Sequence, residues 1–157
     1  MASLSVYIDS SVWNCCFNEH VPDLQAQTRT FFEWIKASPA VQAYLSDVVL
    51  DELGNAPAER ASMLVELVRG VAPIRLDLDE ESAALADTYV RHDVLTVGHL
   101  VDARHVAIAT IARLDVLVSW NYRHLVNRRR REAFNGVNAI TGHRPIEIVS
   151  PPEVQDE

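Results

Sequence analysis

The chain has 157 residues, 48 % of them hydrophobic, which is enough for one globular core without covalent staples. A formal net charge of −8 excludes broad, passive adhesion to nucleic acid and leaves room only for a local basic face. The adjacent Cys15 and Cys16 make a poor disulfide framework, Met1 to Ser5 carries no basic leader, and no apolar run approaches the ~20 residues of a membrane span, so a soluble protein in a reduced, cytoplasmic setting is expected.

The first strand is expected at Leu4 to Ile8, with Leu4, Val6 and Ile8 alternating inward. Asp9, Ser10 and Ser11 end it and cap the turn that follows. Pro22 and Asp23 open a helix to about Lys36, with Phe31, Phe32, Trp34 and Ile35 on its apolar face. Val41 to Leu45 reads as a second strand. Ser46 then suits an N-cap, Asp47 a helix start and Gly54 its end. Pro57 fits the first turn of a helix reaching about Arg69, and Val71 to Leu76 a short third strand. Helices are expected over Asp79 to His92 and Leu100 to Arg113, the latter Ala-rich and buried. A strand at Val116 to Ser119, a helix from about Asn121 to Phe134 and a last strand at Ile146 to Val149 complete the series. Strands alternating with helices predict an α/β domain with a mostly parallel sheet, spanning residues 1–157 with a frayed tail from about 151.

Three carboxylates, Asp9, Glu52 and Asp102, stand where a strand or apolar segment meets a helix, and Asn121 occupies a fourth such junction. A parallel sheet would gather these groups at its carboxyl edge, where open α/β sheets bind ligands. Clustered acids repel one another, and all-oxygen donors favour a hard cation, Mg²⁺ or Mn²⁺. Each residue also has a structural alternative. Asp9 and Asn121 make good N-caps, Asp102 suits a helix dipole, and Glu52 suits a solvated boundary. Helical spacing puts Glu52 one turn after Val48, on a stripe that begins apolar, and Asp51 one turn after Asp47, on a polar one. Glu52 is therefore expected to point inward.

His105 lies one turn beyond Asp102 and reads as a supporting partner; neither it nor His99 belongs to a zinc-type His-Glu-x-x-His pattern. The five glycines form no phosphate-binding loop and no dinucleotide fingerprint, and there is no Gly-x-Ser-x-Gly elbow. Residue 11 is serine, so the second Asp of the aspartyl-phosphatase pattern is missing. Arg128, Arg129, Arg130 and Arg131 form a dense basic run, with Arg123 and His124 just before it; a solvated helix face is the plain alternative to a binding role.

The segments VYIDSSV around Asp9, SDVVLDEL past Glu52, DARHVAIA from Asp102 and LVSWNYRHLVN around Asn121 together resemble PIN-domain ribonucleases, close to the VapC-type toxins of prokaryotic toxin–antitoxin pairs. The stretch NGVNAITGHRPIEIVSPPEV is similar to the end of one subgroup of that family. The resemblance implies a three-layer α/β/α fold, a Mg²⁺ or Mn²⁺ site, endonuclease action on RNA, frequent homodimers and a small antitoxin whose peptide arm blocks the cleft. On this reading Asp9 and Asp102 hold the metal directly or through water. Glu52 completes the charge and orients or deprotonates a water. Asn121 stands where many relatives carry a fourth acid; it would position the ion or water, with Ser10 and Ser119 as donors behind it. Arg123 and the run Arg128 to Arg131 would guide the RNA backbone. The alternatives are a non-catalytic RNA- or protein-binding module with a vestigial metal site, and a phosphatase on small phosphoesters.

Overall fold

The computed structural model describes residues 3–155. Five strands, β1 (Leu4–Ile8), β2 (Val41–Ser46), β3 (Ile74–Leu76), β4 (Val116–Val118) and β5 (Glu147–Val149), form one sheet in the order β3-β2-β1-β4-β5. Every neighbouring pair is parallel. The connections are helical: α1 (Ser10–Cys15), α2 (Pro22–Ala37), α3 (Asp47–Leu53), α4 (Ala58–Val71), α5 (Glu80–Arg91), a single 3-10 turn at Val97–His99, α6 (Leu100–Ile111), α7 (Arg128–Ile140) and α8 (Pro151–Gln155). This is the parallel α/β arrangement that the alternation of strands and helices predicts, in the three α/β/α layers that the PIN-domain resemblance implies.

Parallel strands are covered on both faces, and the central ones show it. Val6, Tyr7 and Ile8 are all fully buried, so alternation in β1 describes two covered faces, not one covered and one wet. The helix boundaries follow local chemistry. The Ser46 side chain accepts from the Val49 amide at the start of α3. Asp79 and Ser82 form a reciprocal capping box on α5. Trp13 of α1 donates its indole N–H to the Ile8 carbonyl at 3.0 Å, which locks the helix after Asp9 against the strand before it.

Four stretches depart from the sequence reading. The turn expected after Asp9 is the helix α1, short enough that its periodicity is lost between Ser10 and Cys15. The third strand begins only at Ile74, because α4 runs on through Val71 and ends at Ala72 in the left-handed region, φ 52°. The helix expected from Asn121 begins at Arg128 instead. Asn121 folds the chain into a turn by accepting from the His124 amide through Oδ1, and Asn127 is the true N-cap, accepting from the Arg130 amide. The expected frayed tail is, over Pro151–Gln155, a helix with Val154 fully buried and Glu153 Oε2 accepting from the Ser150 amide and hydroxyl. Asp156 and Glu157 lie outside the described residues.

Candidate active site

The chain leaves β1 on one side to build β2 and β3, then returns to the other side to build β4 and β5. The gap beyond the carboxyl ends of β1 and β4 is therefore the switch point of the sheet, where such folds bind ligands. Asp9 stands there directly after β1, with its amide on the Val118 carbonyl at 3.2 Å and only 3 % of its surface exposed. Its Oδ1 accepts from the Ser11 amide at 3.1 Å and the Ser11 hydroxyl at 2.5 Å, so Asp9 does cap α1. Ser11 in turn accepts from the Trp120 amide and lies 3.4 Å from the Ser119 hydroxyl, tying the ends of β1 and β4 together. Burial raises the Asp9 carboxyl above its ordinary value, against the pull of His105 and the hydroxyls of Ser11 and Ser119.

Glu52 enters from the last turn of α3. Its Oε1 accepts from the Ser10 hydroxyl at 2.9 Å and meets His105 Nε2 at 2.6 Å. Asp51, beside it, is exposed, as helical spacing predicts. On its other side the His105 ring continues inward: Nδ1 is 2.7 Å from the Tyr7 hydroxyl, which is 2.8 Å from the Ser46 hydroxyl. A polar chain thus runs from the core to the cleft, Ser46–Tyr7–His105–Glu52–Ser10. Burial alone would lower the His105 pKa, but the Glu52 hydrogen bond and the charges of Asp9, Glu52 and Asp102 raise it. Burial also opposes ionisation of Glu52, and the bonds from His105 and Ser10 outweigh it, leaving the carboxyl below its ordinary range. When protonated, the ring donates from both nitrogens, to Glu52 and to Tyr7, which leaves the Tyr7 hydroxyl to donate to Ser46.

Asp102 lies in the first turn of α6, half-buried. Its Oδ2 is 3.4 Å from Asn121 Nδ2 and 3.4 Å from His124 Nδ1. Burial raises this carboxyl too, opposed by His105 and His124. His124 stacks on His99, with ring centroids 3.8 Å apart, and burial and the neighbouring His99 hold it below its ordinary pKa. Asp9, Glu52 and Asp102 all bear on His105 electrostatically, so the structure gathers the three predicted acids around one buried ring. They do not close into a single tight cage. Among the described residues, the trio of side chains whose donor atoms all lie within 4.8 Å of one another is His99, Asp102 and His124.

The arginine run does not form one face. Successive residues of α7 turn by about 100°, and the side chains part company. Arg128 pairs with Glu132, Arg130 donates to the Val94 carbonyl, Arg131 lies 3.8 Å from Glu153, and Arg129 is exposed. Only Arg130 joins Arg123 in lining the cavity beside His99 and His124.

Carboxylate oxygens are the donors that a hard divalent ion takes. Asp9 and Asp102 are partly or wholly desolvated carboxylates that repel each other, and a cation between them would relieve that repulsion. Sequence reasoning named the acids, Ser10, Ser119 and His105 as candidates, read Ser11 and Ser46 only as caps, and passed over Tyr7. A tyrosine inside an apolar strand reads as core; only its two buried hydroxyl contacts give it a role. His124 and His99 were visible, but nothing in their spacing showed that they meet.

No family model matches the chain, and no curated protein does. Solved structures do. The Mycobacterium tuberculosis VapC20, a sarcin-ricin loop cleaving toxin, matches with a TM-score of 0.59 and 14 % identity over 76 % of this chain and 92 % of its own. A chain of VapBC2 from Rickettsia felis, bound to a DNA fragment from its promoter, matches with a TM-score of 0.57 and 11 % identity over 94 % of this chain and 98 % of its own. At these identities the likeness is one of fold, and at that level it bears out the resemblance carried by the four sequence segments.

Proposed function

We propose that the chain is a Mg²⁺- or Mn²⁺-dependent endoribonuclease that hydrolyses RNA phosphodiester bonds, acting as the toxin of a type II toxin–antitoxin pair. The observation that carries the reading is the convergence of Asp9, Glu52 and Asp102 on His105 at the switch point of a VapC-like fold. Asp9 and Asp102 would hold the ion, with Glu52 joining directly or through water. A bound divalent ion would acidify the attacking water and offset charge building on the phosphate oxygens. His105 fixes the Glu52 carboxylate and keeps it ionised, so Glu52 can accept a proton from water. Ser10 holds the same oxygen of Glu52, and Asn121 holds Asp102 from the side.

Arg123 and Arg130 line the cavity beside His99 and His124, next to Asp102, and would take the RNA backbone. The first turn of α7 carries four arginines and no acid, against the helix dipole, a placement that makes sense if phosphate is bound nearby. An apolar hollow of about 490 Å³ lies between α3 and α4, lined by Leu50, Leu53, Leu64, Val65 and Val68. It sits on the helix that carries Glu52 and offers an antitoxin arm an apolar seat; a homodimer in a cytoplasmic setting belongs to the same proposal. No helix among the described residues is long and apolar enough to cross a membrane. Incubation with structured RNA and with a small chromogenic phosphoester, each with Mg²⁺, Mn²⁺ or EDTA, is the test. Metal-dependent cutting of RNA alone supports the reading. Turnover of the phosphoester alone indicates a phosphatase, and turnover of neither indicates a binding module.

A further inference from the structure

His99, Asp102 and His124 come from three different segments: the end of the 3-10 turn, the first turn of α6 and the turn after β4. All three are half-buried, and their donor atoms lie within 4.8 Å of one another. His124 Nδ1 and Asp102 Oδ2 are 3.4 Å apart, already close to the roughly 3.3 Å between neighbouring donors around a tetrahedral ion with bonds near 2.0–2.2 Å. His99 stacks on His124, with ring centroids 3.8 Å apart, and sits beside the exposed Gly98 on a three-residue turn. One residue orients two of the donors: Asn121 accepts from the His124 amide through Oδ1 and approaches Asp102 Oδ2 through Nδ2. The adjoining cavity of about 470 Å³, lined by Thr96, Arg123 and Arg130 among others, leaves room for a fourth ligand.

We propose that His99, Asp102 and His124 bind a divalent transition metal of the Zn²⁺ class on the flank of the acid cleft, sharing Asp102 with it. Two imidazoles and one carboxylate suit Zn²⁺ or Co²⁺, whereas Mg²⁺ takes oxygen donors and keeps its waters. The site is distinct in chemistry from the all-oxygen set around Asp9. Sharing has a consequence that rests on the endonuclease reading. An ion held by the two histidines draws Asp102 out of the hard-metal set, so Zn²⁺ inhibits Mg²⁺-dependent cleavage.

Titration of the metal-free protein with Co²⁺, followed by its visible d–d absorption, tests the site without reference to cleavage. One equivalent should produce the bands; Zn²⁺ should abolish them and excess Mg²⁺ should not. Loss of a residue that only orients a ligand weakens metal sites 10–100-fold, so His99→Ala and His124→Ala should each weaken Co²⁺ binding at least about tenfold. His124→Gln, with circular dichroism on every variant, separates loss of a ligand from loss of fold. Asp9→Asn should leave the Co²⁺ spectrum unchanged. Absence of the bands, or bands that persist in both histidine variants, overturns the site. Equal fractional inhibition by Zn²⁺ in wild type and His99→Ala overturns the sharing of Asp102. Co²⁺ bound as described in a protein that cuts no RNA leaves this site standing and removes the endonuclease reading.

Discussion

Glu52 is connected to the core through His105: its Oε1 is 2.6 Å from Nε2, and the opposite ring nitrogen is 2.7 Å from the Tyr7 hydroxyl. The Tyr7 hydroxyl is therefore what holds the buried side of the ring. Tyr7→Phe leaves His105 Nδ1 and the Ser46 hydroxyl without that partner in a dry interior. Leaving a buried polar group unsatisfied costs about 1–3 kcal/mol, and urea unfolding should show a loss in that range. A change under about 0.5 kcal/mol would mean that the hydroxyl contributes nothing to the ring's placement.

The same pair sets a pH dependence for the metal-free protein. Glu52 has a lowered folded pKa, so its contribution is present above the ordinary value of 4.5 and is lost as pH falls through the lowered one. His105 has a raised folded pKa, so its contribution is full below 6.5 and is lost as pH rises through the raised one. The pair is therefore most stabilising between those ordinary values. In EDTA, the stability gap between wild type and Glu52→Gln should be widest there and narrow on both sides. A gap that does not vary with pH would show that the 2.6 Å contact is not an ion pair.

Asp9→Asn and Asp102→Asn should each abolish RNA cleavage while the protein still folds. An asparagine at position 9 can still accept from the Ser11 amide and cap α1, so the loss is one of charge and not of local structure. Circular dichroism beside a cleavage assay decides the matter, and near-full activity in either variant removes that residue from the site.

How much of this was legible in the sequence depends on what each residue answers to. The strand ends and caps are local, so Asp9, Ser46, Gly54 and Asp79 marked their boundaries directly. Glu52 was aimed inward by helical spacing alone. Asn121 misled: its side chain suits a helix cap and a turn equally, and only the pull of the His124 amide decided for the turn. The arginine run read as one patch because a linear sequence hides a helical fan. Tyr7 and the His99–His124 stack depend on contacts between distant segments, which composition and spacing do not encode.

A hard metal ion should stabilise the fold. Asp9 and Asp102 have raised folded pKa values, so their unfavourable contribution is fully present above those values and vanishes as pH falls below the ordinary one. Mg²⁺ or Mn²⁺ at ~100 times its dissociation constant should add roughly 2.7 kcal/mol near neutral pH, and less as the carboxyls protonate. Thermal melts with EDTA and with each ion measure this. Melting temperatures that stay the same across a wide metal range would count against the site.

The position of β1 in the sheet gives the cleft two walls of unequal stiffness. Asp9 follows a central strand hydrogen-bonded on both sides, whose last carbonyl, that of Ile8, is held by Trp13, and His105 sits in a helix whose inner residues are buried. The side beside His99 and His124 is made of two turns, one with Thr96, Val97 and Gly98 exposed to solvent and one with Arg123 exposed. Amide hydrogens at Tyr7 to Asp9 should exchange only with global opening, while those around Val97 and Arg123 exchange through small local excursions. The three acids thereby stand on a fixed floor, beside a rim that can give way.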